Sequence, residues 1–398
     1  MRQSNERLVL QTLRLNGALS QARIAKLTRI TPQTVSLILA RLDKDRLLVR
    51  HPSVRGQVGQ PSVPISLNSE GAFAIGIQIG RRNMDVLLVD FVGAVRERLS
   101  LAYSFPDPSK LFDDINTAVG RLAATLQPAL RSRLCGIGIA APLSLGGWQQ
   151  LLGVAPKVAR QWQGIDLRER VAGLSACRHL SVDFVKDTAA ACVAELVNGR
   201  GRHTSSFLYM FVDTFIGGGL VLNSHLVGGR TGNAGAIGSI ALALGTGRKS
   251  LPAQLLSVAS LFSLEAAYSK ADLDVTAWTD DRALIKPWAP LTRQWVKESS
   301  QAIALAINSA ACLLDLDGVV IDGAFSPALL GSLLEGIELA VTQYSWEGVE
   351  RPAILRGTIG SDARALGAAL LPIYAQFAPD RDLFLFSKDA HPTNAGAV

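Results

Sequence analysis

The sequence predicts an α/β protein in two parts: a winged helix-turn-helix over residues 1–68, and a larger α/β body of two similar lobes over residues 69–398. Three observations predict this. The basic charge is concentrated at one end. The first fifty residues carry three segments of helical periodicity, followed by two β-prone runs around a Gly/Pro-rich tip. Beyond Asn68 the pattern changes to short apolar runs ending in glycine, and such a block occurs twice.

The 398-residue chain has a formal net charge of +7. Residues 1–69 hold 11 Lys/Arg against 3 Asp/Glu, whereas the rest of the chain holds 29 against 30. That partition points to a small module for a polyanion joined to a near-neutral body. A solvated basic face is the plainer alternative. With 48% apolar and 18% charged residues, disorder is excluded as the main state. No run reaches the roughly 18–20 apolar residues of a membrane span. Ala302 to Leu316 comes nearest, is interrupted by Asn308, Ser309 and Asp315, and reads as a core helix. The polar N-terminus has no secretory pattern. Cys135, Cys177, Cys192 and Cys312 include no CxxC pair. The expectation is a cytoplasmic protein with reduced thiols, no membrane association, no metal and no cofactor.

In the N-terminal module, Leu8, Val9, Thr12, Leu13 and Leu15 suit a first helix ended by Asn16-Gly17. Gln21 to Thr28 suits a second, with Ser20 as N-cap. Thr31 caps a third, with Pro32 at its first position, where a missing N–H costs nothing. Val35, Ile38, Leu39 and Leu42 form its buried stripe. The short gap between the second and third helices has helix-turn-helix spacing. Leu47–Arg50 and Val63–Leu67 then flank a hairpin tip that includes Arg55, Gln57 and Gln60. In such a module the third helix enters the major groove. Thr31, Gln33, Thr34 and Ser36 are the candidates for base edges, and Arg23 and Arg41, with Lys26 and Arg29, for phosphates. Arg55, Gln57 and Gln60 are the wing candidates. A winged helix that contacts protein instead of DNA is the alternative.

In the body, Ala74–Gly80, Met84–Asp90 and Ala94–Tyr103 read as successive strands, followed by a helix from about Pro108 to Leu130 and a buried strand from Cys135 to Pro142. A second β-rich block starts at Phe207, and helices dominate after it. Ile216–Gly219 reads as a phosphate-binding turn or equally as a tight hairpin. Asp187 reads as a general base or as the N-cap of a helix from Thr188 to Asn198.

Several segments together resemble the ROK family (repressors, open reading frames and kinases). They are ITPQTVSLILARLDKDRLLVR and GQVGQPSVPISLN at the front. In the body they are AIGIQIG, GIGIAAP, WQGIDL, KDTAAACVAE, IGGGLVLN, GRTGNAGAIGS and SDARALGAALLPIY. The resemblance implies the actin-like ATPase (ribonuclease H-like) fold of bilobal sugar kinases. Lobe 1 would span 69–186 and lobe 2 187–398, with a helix near 361–376 packing back on lobe 1. It also implies a sugar site in a cleft between the lobes.

Departures from the family pattern imply a regulator that has lost catalysis. Gln78 stands where the kinases carry an Asp, and Arg81-Arg82 replace glycine and threonine of the first phosphate turn. Asp213-Thr214-Phe215 replaces the glycine-threonine-glycine of the second. Asp187 matches the general base. At the family's zinc site, Ser239, Gly247, Lys249 and Gln254 replace one histidine and three cysteines. Lys186, Ala236 and Leu256 replace an asparagine and two glutamates of the sugar site, and Asn233 remains. The expectation is therefore a DNA-binding repressor with operator DNA as partner, acting as a homodimer or homotetramer, with an active sugar kinase or a ligand-independent DNA-binding regulator with a decayed pocket as the alternatives. Lys186, Asp187, Asn233 and Ser239 are its candidate effector residues, for a sugar, a sugar acid or a sugar phosphate.

Overall fold

The computed structural model describes residues 4–53, 62–146, 156–245 and 251–379. At the front, α1 (Ser4–Asn16), α2 (Gln21–Thr28) and α3 (Pro32–Lys44) precede the antiparallel pair β1 (Leu48–Arg50) and β2 (Ile65–Leu67). Each boundary has a local cause. Gly17 takes φ +71° and donates its N–H to Leu13 O at 2.9 Å, which stops α1. Ser20 accepts the Arg23 N–H and Thr31 the Thr34 N–H, both at 3.3 Å. α1 starts earlier than its apolar period indicates because Glu6 is buried and paired with Arg41 at 3.4 Å. Val9, Leu13, Ile24, Val35, Ile38, Leu39 and Leu42 close the small core. Replacing Thr31 by alanine is expected to cost about 1 kcal/mol of stability, read as a lower denaturant midpoint with an unchanged slope.

Two compact units make up the chain. The first runs from the N-terminus to Ala194 and takes in the C-terminal helix α9 (Ala363–Phe377); the second covers Glu195–Ser361. In the first unit, β3 (Phe73–Ile79), β4 (Asn83–Asp90), β5 (Val95–Ala102), β6 (Leu134–Ala141) and β7 (Ser181–Lys186) form one sheet in the order β5-β4-β3-β6-β7. The first three strands are an antiparallel meander, and β6 and β7 add in parallel. One face is covered by α4 (Pro108–Thr125) through Leu111, Phe112, Ile115, Val119 and Leu122. The expected helix to Leu130 breaks at Leu126-Gln127, which are extended ahead of Pro128.

The helix α9 lies against β3 and β6 with backbones almost touching. A Cβ on Gly76 would sit 1.9 Å from Ala365 O, and one on Gly138 1.8 Å from Ala368 O. Gly76 and Gly138 are register partners, so the two strands jointly form a channel for the helix. α9 likewise meets α5 (Asp187–Asn198), where a Cβ on Gly367 would be 1.7 Å from Ala190 O. The division between the two compact units falls between Ala194 and Glu195, within α5. Ala190 is committed to α9, whereas the Glu195 carboxylate accepts from Arg200 N and from Thr358 in the second unit.

The winged helix is anchored within the first unit. Arg14 of α1 donates to Phe91 O at 2.6 Å. Its guanidinium lies 4.9 Å from the Phe91 ring centroid and 5.3 Å from that of Tyr374 on α9. Burial pushes its pKa down, opposed by the nearby Tyr374 and Asp90. Phe377 packs edge-on against Phe91 at 4.8 Å. Arg14 thus holds α1 to the β4–β5 turn and to the end of α9, a role its sequence position does not disclose.

In the second unit, β8 (Phe207–Val212), β9 (Gly217–Leu222), β10 (His225–Val227), β11 (Gly318–Gly323) and β12 (Ala353–Arg356) repeat the order of the first sheet, β10-β9-β8-β11-β12. Ile216–Gly219 enters the β8–β9 hairpin, with Phe211 opposite Gly217. The helices α6 (Leu261–Lys270), α7 (Ala289–Leu314) and α8 (Pro327–Val341) accompany this sheet. The segment read as a core helix is the end of α7, which stops where Asp315 turns to φ +47°. The strands β7, β10, β11 and β12 add to those expected from the sequence, although Gly318-Val319-Val320-Ile321 carries a short buried-strand pattern. No described helix is long and apolar enough to cross a membrane.

Candidate nucleic-acid interface and effector positions

α3 divides cleanly by exposure. Val35, Ile38, Leu39 and Leu42 are at most 1% exposed, while Gln33, Ser36, Leu37, Ala40, Arg41 and Lys44 are exposed. The side chains of Gln33 and Ser36 have no hydrogen-bond partner among the described residues. Thr31 and Thr34 are tied to each other, hydroxyl to hydroxyl at 2.9 Å, so Thr31 serves first as the cap. Arg23, Lys26 and Arg29 are exposed and have no acidic partner among the described residues. Arg41 differs: its Nη1 lies 3.4 Å from the buried Glu6, so it ties α3 to α1 as well as facing solvent. Arg50, which the sequence pattern does not single out, is neutralised by Asp43 at 2.9 Å through its Nε. Arg55, Gln57 and Gln60 lie outside the described residues.

At the position aligned with the family's first phosphate turn, polar groups bond one another. Gln78 is buried, its amide nitrogen donating to Asp85 at 3.2 Å and its oxygen accepting from Gly80 N at 2.9 Å. Gly80 N also donates to Asn83 O at 2.8 Å. The donor that a glycine turn would offer to phosphate is therefore engaged. Arg81 reaches Ser144 O at 3.4 Å. In the second turn, Asp213 O accepts from Leu261 N and Ile216 N donates to Ser260 Oγ. The Phe215 ring packs on Phe262 at 6.0 Å. At the positions aligned with the second phosphate turn the chain thus carries an aromatic ring packed on a second one and backbone groups engaged by Leu261 and Ser260.

Lys186 ends β7 and Asp187 begins α5. Burial pushes the Lys186 ammonium below the usual lysine range, and the Asp187 charge beside it opposes that shift. Asp187 accepts from Thr188 N at 2.8 Å, as an N-terminal carboxylate of a helix does. Asn233 and Ser239 belong to the second unit and are exposed. Asn233 sits in a loop whose Gly232 and Gly235 both take positive φ. Gln254 donates to Ser239 O at 3.4 Å, a hydrogen bond between two of the positions aligned with zinc ligands. Gly247 and Lys249 lie outside the described residues. A separate cavity of about 670 Å³ in the first unit is lined by Leu143, Arg160, Trp162, Arg168 and Phe184, and includes none of the four effector candidates. Its Trp162 is structural, donating to Pro106 O at 2.9 Å.

Comparisons with known proteins place this arrangement. The ROK family model matches residues 74–374. The xylose repressor of Bacillus spizizenii is 25% identical over 242 residues, covering 60% of each chain. This chain therefore spans less than two thirds of that repressor's length in the match. The crystal structure of a ROK family transcriptional regulator, a homolog of the E. coli MLC protein, superposes with a TM-score of 0.64 at 20% identity, over 96% of this chain and 97% of that one. A ROK family glucokinase from Streptomyces griseus, solved with glucose and AMPPNP, gives 0.59 at 20% identity, over 75% and 99%. The fold shared with both is the actin-like sugar-kinase fold.

Proposed function

Because the chain belongs to the ROK family, we propose that it is a DNA-binding transcriptional repressor whose actin-like body senses an effector and no longer transfers phosphate. The observation that carries this reading is the winged helix: among the described residues, the exposed side chains of Gln33 and Ser36 on α3 have no hydrogen-bond partner and the exposed cations Arg23, Lys26 and Arg29 no acidic one. Two such modules on a symmetric homodimer read two half-sites, with phosphate contacts setting register and α3 setting sequence. The similarity to a xylose repressor and to a ROK regulator that matches along nearly the whole chain supports it.

The side chains at the two turns support a loss of catalysis. A carboxylate such as Asp187 transfers no phosphoryl group unless nucleotide and metal are positioned in front of it. The glucokinase likeness makes an active sugar kinase the rival reading, and calorimetry separates them. The expected result is no ATP binding and no sugar-dependent ATP turnover by the full chain. Restoring Gln78→Asp alone is expected to change neither, because Phe215 and Arg81 keep their places. Sugar-dependent turnover by the wild type would overturn the inactive assignment.

For the effector, we infer an anion, a sugar acid or sugar phosphate. Lys186 brings an ammonium, while Ala236 and Leu256 bring no charge. Such a ligand acts by binding one of two DNA-binding states better than the other. Lys186 and Asp187, adjacent in the first unit, are its candidate contacts. A sugar acid is expected to release DNA at about tenfold lower concentration than the parent sugar, and Lys186→Asn to erase that difference. Equal potency of sugar and acid, or no effect of the substitution, would remove Lys186 from the site.

A further inference from the structure

One large apolar side chain breaks the polarity of the exposed face of α3. Leu37 is 65% exposed and sits amid Gln33, Ser36 and Arg41 on the same side of the helix. The core does not need it, since Val35, Ile38, Leu39 and Leu42 already close it at 0–1% exposure. A protruding leucine on a cationic surface suits a polyanion that carries an apolar group. Duplex DNA presents one such group at base edges in the major groove, the C5-methyl of thymine.

We propose that Leu37 is a specificity-determining residue that packs on the C5-methyl of one thymine in each half-site. The proposal rests on the DNA-binding reading above. Gln33 lies one turn before Leu37, about 6 Å back along the helix axis. Two base steps span about 6.8 Å. Gln33 has the donor and acceptor for the N7 and N6 edge of adenine. The half-site is therefore one in which the adenine under Gln33 and the thymine under Leu37 lie within about two base steps of each other. Ser36, between them, is free to bond either base edge.

Selection of duplexes from a random pool with the full chain supplies the sites, and replacing each thymine by deoxyuridine removes only the methyl. For wild type, each deoxyuridine is expected to lower affinity about fourfold, the worth of burying one methyl against a leucine, and so one in each half-site about 15-fold. Leu37→Ser should bind the thymine and deoxyuridine sites alike, both as weakly as wild type binds deoxyuridine. Leu37→Met, still apolar, should keep the preference. If no deoxyuridine costs wild type more than about twofold, Leu37 reads no methyl. An identical loss in Leu37→Ser would assign the methyl to another side chain. Failure of the pool to enrich any sequence would overturn the DNA-binding reading itself, and this proposal with it.

Discussion

Replacing Gly138 by alanine is expected to cost about 3–5 kcal/mol of the stability of the first unit, at the upper end for a single methyl. The added Cβ would lie 1.8 Å from Ala368 O, 2.5 Å from Ala368 C and 3.1 Å from Ala368 Cα. All three are backbone atoms, so no rotamer change relieves the overlap. Either α9 lifts off the sheet or β6 bends away from β3, and both expose core. Gly120→Ala is the matched control. Its nearest neighbour would be Ala176 Cβ at 3.9 Å, so the substitution is free of clashes within α4. It is expected to stabilise by about 0.5–1 kcal/mol through helix propensity and the loss of unfolded-state freedom. Urea unfolding of the two variants should therefore move in opposite directions. Gly138→Ala is also expected to weaken DNA binding, because α9 carries the Tyr374 and Phe377 rings that hold Arg14 and Phe91.

Removing Arg23, Lys26 and Arg29 together, each to alanine, is expected to lower DNA affinity by about two orders of magnitude per chain near 0.15 M salt. The log–log salt dependence should flatten by about 0.9 for each phosphate that is no longer neutralised. The weakening should be the same on selected and scrambled duplexes, because hydrogen bonds and ion pairs to phosphate carry no sequence information. None of the three side chains has an acidic partner among the described residues, so folding should be little changed. Arg41→Ala is a different case. It leaves Glu6, 7% exposed, without its partner, so its DNA effect is expected to come with a loss of stability.

Much of the winged helix was legible in the sequence because its boundaries are set by neighbours in the chain. Ser20, Thr31, Pro32 and Gly17 act on groups within a turn of themselves, and the apolar stripe of α3 repeats at helical spacing. The three strands of the first meander were legible for the same reason. What the sequence hid depends on residues far apart. Gly76 and Gly138 look like ordinary strand glycines until α9, more than two hundred residues on, is laid across them. Arg14 reads as one more cation of a basic module, yet its partners are Phe91 and Tyr374. Glu6 looks like a solvated first-turn acid, and only its distance to Arg41 shows it buried. Among the candidate site residues, the departures at Gln78 and Phe215 were visible in the sequence. The Gln78 hydrogen bonds to Asp85 and Gly80, and the pairing of Phe215 with Phe262, required three dimensions.

The central claim is that residues of α2 and α3 bind duplex DNA with sequence preference. Its most direct test is an anisotropy titration of the full chain against a selected duplex and its scrambled counterpart, between 50 and 300 mM salt. We expect the selected duplex to bind at least about 10³-fold more tightly than the scrambled one at physiological salt. Both are expected to show linear log–log salt dependence with a slope near −0.9 per neutralised phosphate. Binding of the two duplexes with equal affinity, or no binding to either at the lowest salt, would contradict the account.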